Sequence, residues 1–293
     1  MLFGAHVSSS GGINTAIDRA QALKANAVQV FTQSPRMWKA TKHSEESVVL
    51  FHKRRAEARV ESVICHATYL INLGATDDTV YHRSVRALAS TVETGGRIGS
   101  EGVVFHVGSH LGRGLDAAMH QIVPAIEVVL GGRQPEGPWL LLENSAGHEG
   151  TIGVAISDLA RIIDELGRPD GVGICLDSCH LFASGIQITT PEGMDELLAD
   201  VDARIGLDRL RCLHINDSKM AFGSNRDRHE NLGKGEIGEG LAVMVGHPAL
   251  QHLPMVMETP GADGHGVDLA EMASLRRLNR KGVKRWQTVT SSR

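Results

Sequence analysis

The sequence lacks any apolar run near the about 18 residues that a membrane-spanning helix requires. Its start, MLFGAHVSSSGG, also lacks the cationic and apolar regions of a secretion signal. These absences set the expectation of a soluble, cytoplasmic protein with no membrane partner. Cysteines number only four: Cys65, Cys175, Cys179 and Cys212. They sit in or beside apolar runs, away from the spacings of a disulfide framework or a paired zinc knuckle, and so read as buried reduced thiols. No low-complexity linker divides the chain, and residues 1–293 read as one domain. The one change in composition is a basic end, about 276–293, running through LRRLNRKGVKRW, which reads as a solvated last helix and tail. A basic excess is missing as well: the formal net charge is −4. That balance speaks against a nucleic-acid binder, which usually carries a basic face.

What is present is a regular alternation. A chain of 293 residues, 42% hydrophobic, can bury roughly three quarters of its unfolded surface. Eight short apolar runs recur: LFGAHV, AVQVFT, SVICHA, GVVFHV, WLLLEN, GICLDS, RCLHIN and MVMET. Each is apolar at both alternating sets of positions, as suits a parallel strand covered on both faces. Helix-like stretches lie between them, among them GGINTAIDRAQALKA, DDTVYHRSVRALASTVETGGR, GLDAAMHQIVPAIEVVL and TIGVAISDLARIIDELG. Right-handed crossovers of this kind, eight times over, close most simply into a (β/α)8 TIM barrel, with a doubly wound open sheet as the alternative.

The polar residues then fall in a pattern. Six of the eight runs finish on a potential metal ligand: His66, His106, Glu143, Asp177, His214 and Glu258. In a barrel the C-terminal strand ends form the face that carries the active site. One such residue alone is usually a structural group, but six together point to a shared site. His180 follows Asp177 by three residues, and the charged loop SNRDRHENLG adds Asp227 and His229. On its own that loop reads as solvated surface.

Five histidines and four carboxylates exceed the about four ligands of a single zinc and suit two or three ions. Without cations, each close carboxylate pair would repel by roughly 4 kcal/mol at an effective dielectric of about 20 and about 4 Å. Imidazole and carboxylate donors favour zinc, with manganese or iron compatible at one or more sites. A competing thiol site in ICLDSCH, built on Cys175 and Cys179, loses to this reading. Both cysteines then pack behind the ligands, although Cys175 shares strand parity with Asp177 and so can face the barrel interior. Three divalent ions would turn the formal −4 into about +2, concentrated at the bowl. The missing basic excess therefore does not exclude a phosphate-bearing substrate.

With these residues in hand, the chain resembles the endonuclease IV family of abasic-site DNA repair enzymes over essentially its whole length. HATYLINLG from His66, GICLDSCH from Gly173 and LHINDSKMAFGSNRDRH from Leu213 match the family's signature segments in order. The resemblance implies a trinuclear zinc cluster that cuts the phosphodiester 5′ to an abasic site in double-stranded DNA. The products are a 3′-hydroxyl and a 5′-deoxyribose phosphate, and blocked 3′ ends are a second substrate. It also implies a monomer, associated with the nucleoid when on DNA. By resemblance, His66, His106 and Glu143 hold one zinc. Glu143 bridges to the second, held with Asp177, His214 and Glu258, while His180, Asp227 and His229 hold the third. Asn216 and Lys219 stand as supporting or phosphate-contacting groups, or as plain loop hydrogen-bonders.

Arg36, in TQSPRMWKA, and Tyr69, in ATYLINLGA, match family positions that enter the duplex at the lesion, where a planar or cationic side chain fills the space of a missing base. Met37 and Trp38 read as a hydrophobic lid over the rim. Three positions depart from the family pattern. Val107 stands where relatives have proline, which puts loop rigidity in doubt, Ser178 replaces threonine, and Met37 replaces a glutamine. GKGEIG, residues 233–238, fits G-x-G-x-x-G but follows a charged loop rather than a strand, so it reads as no dinucleotide site. His6 ends the first strand facing the bowl, as a supporting or a structural group. Two rival functions remain: a single-metal sugar isomerase or epimerase on the same barrel, and an inert lesion-binding protein.

Overall fold

Each of the eight apolar runs forms a strand. The computed structural model describes residues 1–291, so the last two residues of the basic tail lie outside the described residues. The strands are β1 (Leu2–Val7), β2 (Ala27–Phe31), β3 (Ser62–His66), β4 (Gly102–Phe105), β5 (Trp139–Glu143), β6 (Val172–Asp177) and β7 (Leu210–His214). A two-residue pair follows, β8 (Asp217–Ser218) and β9 (His229–Glu230), and then β10 (Pro254–Met257). All but β8 and β9 join one closed parallel barrel, shut where β1 pairs with β10 with Leu2 opposite Pro254. The open-sheet alternative is thereby excluded.

Parallel strands buried on both faces explain the continuous apolar runs. Ile64, Val104, Leu141, Cys175, Cys212 and Val256 fill the barrel's interior, so the centre is packed rather than hollow. Cys175 does face inward, opposite Cys212 in the β6–β7 register. All four cysteines are free and buried.

The outer helices are α1 (Thr15–Ala22), α2 (Glu45–Ala58), α3 (Asp78–Arg97), α4 (Leu115–Gly131), α5 (Ile156–Glu165), α6 (Ser178–Ala183), α7 (Pro191–Arg204), α8 (Leu241–Gly246) and α9 (Leu269–Ser291). Side-chain caps start several of them. Asp77 accepts from Val80 N at 2.9 Å, Ser44 from Ser47 N at 3.2 Å, and Thr190 from Gly193 N at 3.2 Å ahead of Pro191. The basic stretch forms the expected last helix, α9, but one side of it is packed rather than solvated. Trp286 is buried and donates its indole N–H to Val243 O at 2.8 Å, while Arg277 and Lys281 pair with Glu239. Among the described residues, no helix is long and apolar enough to cross a membrane.

Candidate metal centre

The registers bring the polar strand ends to one rim. Asp177 lies opposite His214 across β6 and β7, and Cys175 opposite Glu143 across β5 and β6. Asp177 is both the last residue of β6 and the N-cap of α6, and its Oδ1 accepts from His180 N at 2.9 Å. That cap is why the strand stops on Asp-Ser-Cys-His. One carboxylate ends the strand, starts the helix and aims His180 into the same bowl.

All nine expected ligands gather there in three groups, within each of which one donor atom per residue lies within 4.8 Å of the others. His66, His106 and Glu143 form the first group; Glu143, Asp177, His214 and Glu258 the second; His180, Asp227 and His229 the third. Glu143 belongs to two of them. Its Oε2 lies 3.3 Å from His66 Nε2 and 3.4 Å from His106 Nε2, and its Oε1 lies 2.9 Å from His214 Nδ1. Asp227, half-exposed, still points inward, 3.2 Å from His180 Nε2 and 3.1 Å from His229 Nε2.

The outward nitrogens of three histidines are each held by a carbonyl. His66 Nδ1 donates to Ala67 O at 2.7 Å, His180 Nδ1 to Asn144 O at 2.9 Å, and His214 Nε2 to Gln29 Oε1 at 2.8 Å. Each contact orients the ring and leaves the inward nitrogen to take either a proton or a metal ion. Those inward nitrogens face carboxylate oxygens, an arrangement that needs a proton or a metal cation between each nitrogen and its oxygen. His229 Nε2 is buried and, although 3.1 Å from Asp227 Oδ1, makes no hydrogen bond of good geometry. The donor set therefore fits divalent cations.

The charge balance of the ligands agrees. Burial alone would lower the pKa of His214 and His180, yet the surrounding carboxylates, led by Glu258 and Asp177 respectively, hold both well above the usual imidazole value. For His229 burial is again opposed, here by Asp227 and Asp177, which raise it to about 9. Burial would raise Glu143 and Glu258, but His106 and His214 hold the first, and His214 and His6 the second, well below the carboxylate range. The cluster thus draws positive charge. The thiols do the opposite: burial pushes Cys175 and Cys179 upward, so both stay protonated although Cys179 lies near Asp177 and His229.

Supporting contacts complete the picture. Asn216, fully buried, donates Nδ2 to Asp177 Oδ2 at 2.6 Å and accepts Glu258 N at 2.8 Å. It braces two residues of the donor groups rather than meeting solvent. Two further braces escape the sequence pattern. Gln29 donates to Glu258 Oε1 at 2.7 Å besides holding His214, and Asn144 accepts Asp177 N at 2.6 Å. The signal for Gln29 is an amide inside the otherwise apolar AVQVFT. His6 Nδ1 lies 3.3 Å from Glu258 Oε1 and 3.0 Å from Gln29 Nε2, which places it with the supporting residues.

At the rim, Tyr69 is 54% exposed, with its ring 5.2 Å from Phe31 and 5.6 Å from His66. Tyr69 N and Thr68 Oγ1 both donate to Pro35 O, at 3.1 and 2.6 Å, tying this loop to the one that carries exposed Arg36. Lys219, half-exposed, lies 3.8 Å from Glu230 Oε2. Trp38 packs partly against the core, as a lid residue should, but Met37 does not. Met37 is 53% exposed because the turn from Ser34 to Met37, closed by Gln33 Nε2 on Met37 O at 2.9 Å, sends its side chain to solvent.

The xylose isomerase-like TIM barrel family matches residues 17–279. A "Probable endonuclease 4" of Halothermothrix orenii is 38% identical over 278 residues, 94% of this chain and 100% of that protein. The chain belongs to the endonuclease IV family. Within solved structures, endonuclease IV from Thermus thermophilus has a TM-score of 0.82 at 31% identity, covering 97% of this chain and 100% of its own. A D-tagatose 3-epimerase-like protein, with a TM-score of 0.72 at 15% identity over 99% of this chain and 100% of its own, shares the fold alone. Two departures of this endonuclease IV family member from the family pattern have a visible structural role. Val107 is fully buried and its carbonyl accepts Leu73 N at 2.9 Å, so the segment is held without proline. The Ser178 hydroxyl donates to Asn216 O at 2.7 Å and accepts Asn216 N at 2.8 Å, a task that needs no methyl group.

Proposed function

We propose that this protein is a metal-dependent endonuclease that hydrolyses the phosphodiester 5′ to abasic sites in double-stranded DNA and also removes 3′ blocking groups. The observation that carries the reading is the third donor group, His180, Asp227 and His229, joined through the same bowl to two groups that share Glu143. A sugar isomerase with one ion has no use for that third group. Family membership and the 31% identical endonuclease IV structure support the same reading.

Three divalent ions, zinc by donor chemistry, would be held by the three groups. When bound they would lower the pKa of water and neutralise charge on phosphate. The chain's own residues do the rest. Glu143, buried between two groups, fixes their spacing. Gln29, Asn144 and Asn216 hold the ligands in place so that little reorganisation is needed during reaction. Water adds to phosphorus and the P–O3′ bond breaks, leaving a 3′-hydroxyl on one side and a 5′-deoxyribose phosphate on the other. Tyr69 and Arg36, whose loops are tied through Pro35, would fill the space of the missing base, and Lys219 would meet a backbone phosphate. The protein would act as a monomer inside the cell, at the nucleoid.

The test is incision of a duplex carrying an abasic-site analogue by the purified chain. Cutting that stops with a strong chelator and returns with zinc supports the reading. Turnover of a ketose without cutting would replace it with an isomerase, and tight lesion binding without cutting with an inert binder.

A further inference from the structure

Asp217 belongs to none of the donor groups, yet it is fully buried and accepts more backbone hydrogen bonds than any ligand. Ser218 N donates to it at 2.8 Å, Gly233 N at 2.9 Å, Gly235 N at 3.1 Å, Ile237 N at 3.0 Å and Gly238 N at 3.1 and 3.2 Å. Apart from Ser218, the donors come from GKGEIG, residues 233–238. Successive amides in such a glycine-rich turn form a nest for an anion, and here the anion is the protein's own carboxylate. That leaves the motif no amides for a nucleotide.

The loop fits only because of its glycines. Gly233 and Gly238 have φ of +78° and +54°. At Gly235 a Cβ would lie 2.6 Å from Asp217 Oδ1 and closer still to Ser218 O. Glu236 N also donates to Ser218 O, at 2.7 Å. The strand so wrapped, β8, pairs antiparallel with β9, with Ser218 opposite His229, and Lys219 N donates to Arg228 O at 2.8 Å. A two-residue ladder is too short to hold itself. The contacts run without a break from the glycine loop, through Asp217, to the strand that carries His229 and lies two residues from Asp227.

We infer that Asp217 is a positioning residue whose carboxylate, clamped by the amides of 233–238, holds the β8–β9 ladder and so aims His229 and Asp227 into the third donor group. This rests on the three-ion reading for its consequence, but not for the clamp itself. The test uses the full-length chain with Asp217→Asn, which keeps the shape but offers one acceptor oxygen in place of two. Amide exchange is followed in the metal-stripped protein, zinc per chain is measured after reloading, and incision is assayed. Exchange across 217–238 should quicken at least about tenfold while barrel-strand amides keep their protection. Zinc should fall by about one ion per chain and incision by roughly 10- to 100-fold. Gly235→Ala, which displaces the loop and leaves the carboxylate intact, should reproduce the pattern. Unchanged exchange and full zinc in Asp217→Asn would overturn the inference, as would loss of protection spread evenly over the barrel. If the unaltered chain holds one ion and does not cut, the three-ion reading fails, and the exchange comparison still decides the clamp.

Discussion

Asn216 donates its amide to Asp177 at 2.6 Å in the floor of the bowl, and its carbonyl oxygen accepts the backbone N–H of Glu258. One neutral side chain thereby links the ends of β6 and β10, on either side of the strand it follows. Replacing it with Ala leaves Asp177 Oδ2 and Glu258 N without these partners and frees both carboxylates to turn. Incision by Asn216→Ala should fall roughly 10- to 100-fold with the fold intact by circular dichroism. Activity equal to that of the unaltered protein would mean that Asn216 is a bystander.

His229→Ala removes a proposed ligand rather than a brace, so its effect should exceed about 100-fold. Zinc should drop by about one ion per chain. A barrel that works with one ion, using only Glu143, Asp177, His214 and Glu258, would scarcely respond, so the size of the loss separates the two chemistries.

The last helix is held by a close glycine contact. A Cβ at Gly282 would meet Gly246 Cα of α8 at 2.8 Å and Ala242 O more closely still. Gly282→Ala must push α9 away from α8, at a cost of about 1–3 kcal/mol. Thermal denaturation should show a fall of several degrees. Incision at 25 °C should be retained, because neither glycine belongs to the donor groups.

Glu239 provides a pH test away from the site. Its carboxylate lies 2.7 Å from Arg277 and 2.7 Å from Lys281, and these two cations lower its pKa from 4.5 to about 2. A depressed folded pKa stabilises the fold above pH 4.5, and that contribution disappears as pH falls through about 2. The pair is about half exposed, so the effect is small and screened by salt. The stability difference between the unaltered protein and Glu239→Gln should be measurable at pH 6, shrink toward pH 2, and shrink in 1 M salt. A difference independent of pH would assign the contact to packing alone.

The parts legible in sequence share one property: they are set by local pattern. Strands apolar on both faces announce the barrel, and donors at their C-terminal ends announce the rim. Less periodic elements do not stand out. In α2 only Val48 and Phe51 are buried, too few to mark a face. In α7 the start is marked only by the Thr190 cap and Pro191, a signal of two residues. Gln29, Asn144 and Asp217 escape the pattern because the partners that define them lie 16 to 229 residues away, and spacing carries no record of such distances. Met37 misleads because an apolar side chain near a rim looks like a lid until the turn beneath it is known.

On the proposed reading nine donors hold several ions together in one bowl. X-ray anomalous scattering from crystals of the zinc-loaded, incision-competent protein tests it directly. About three zinc peaks should appear, one of them bounded by His180, Asp227 and His229. A single peak among Glu143, Asp177, His214 and Glu258 in fully active protein would contradict the account.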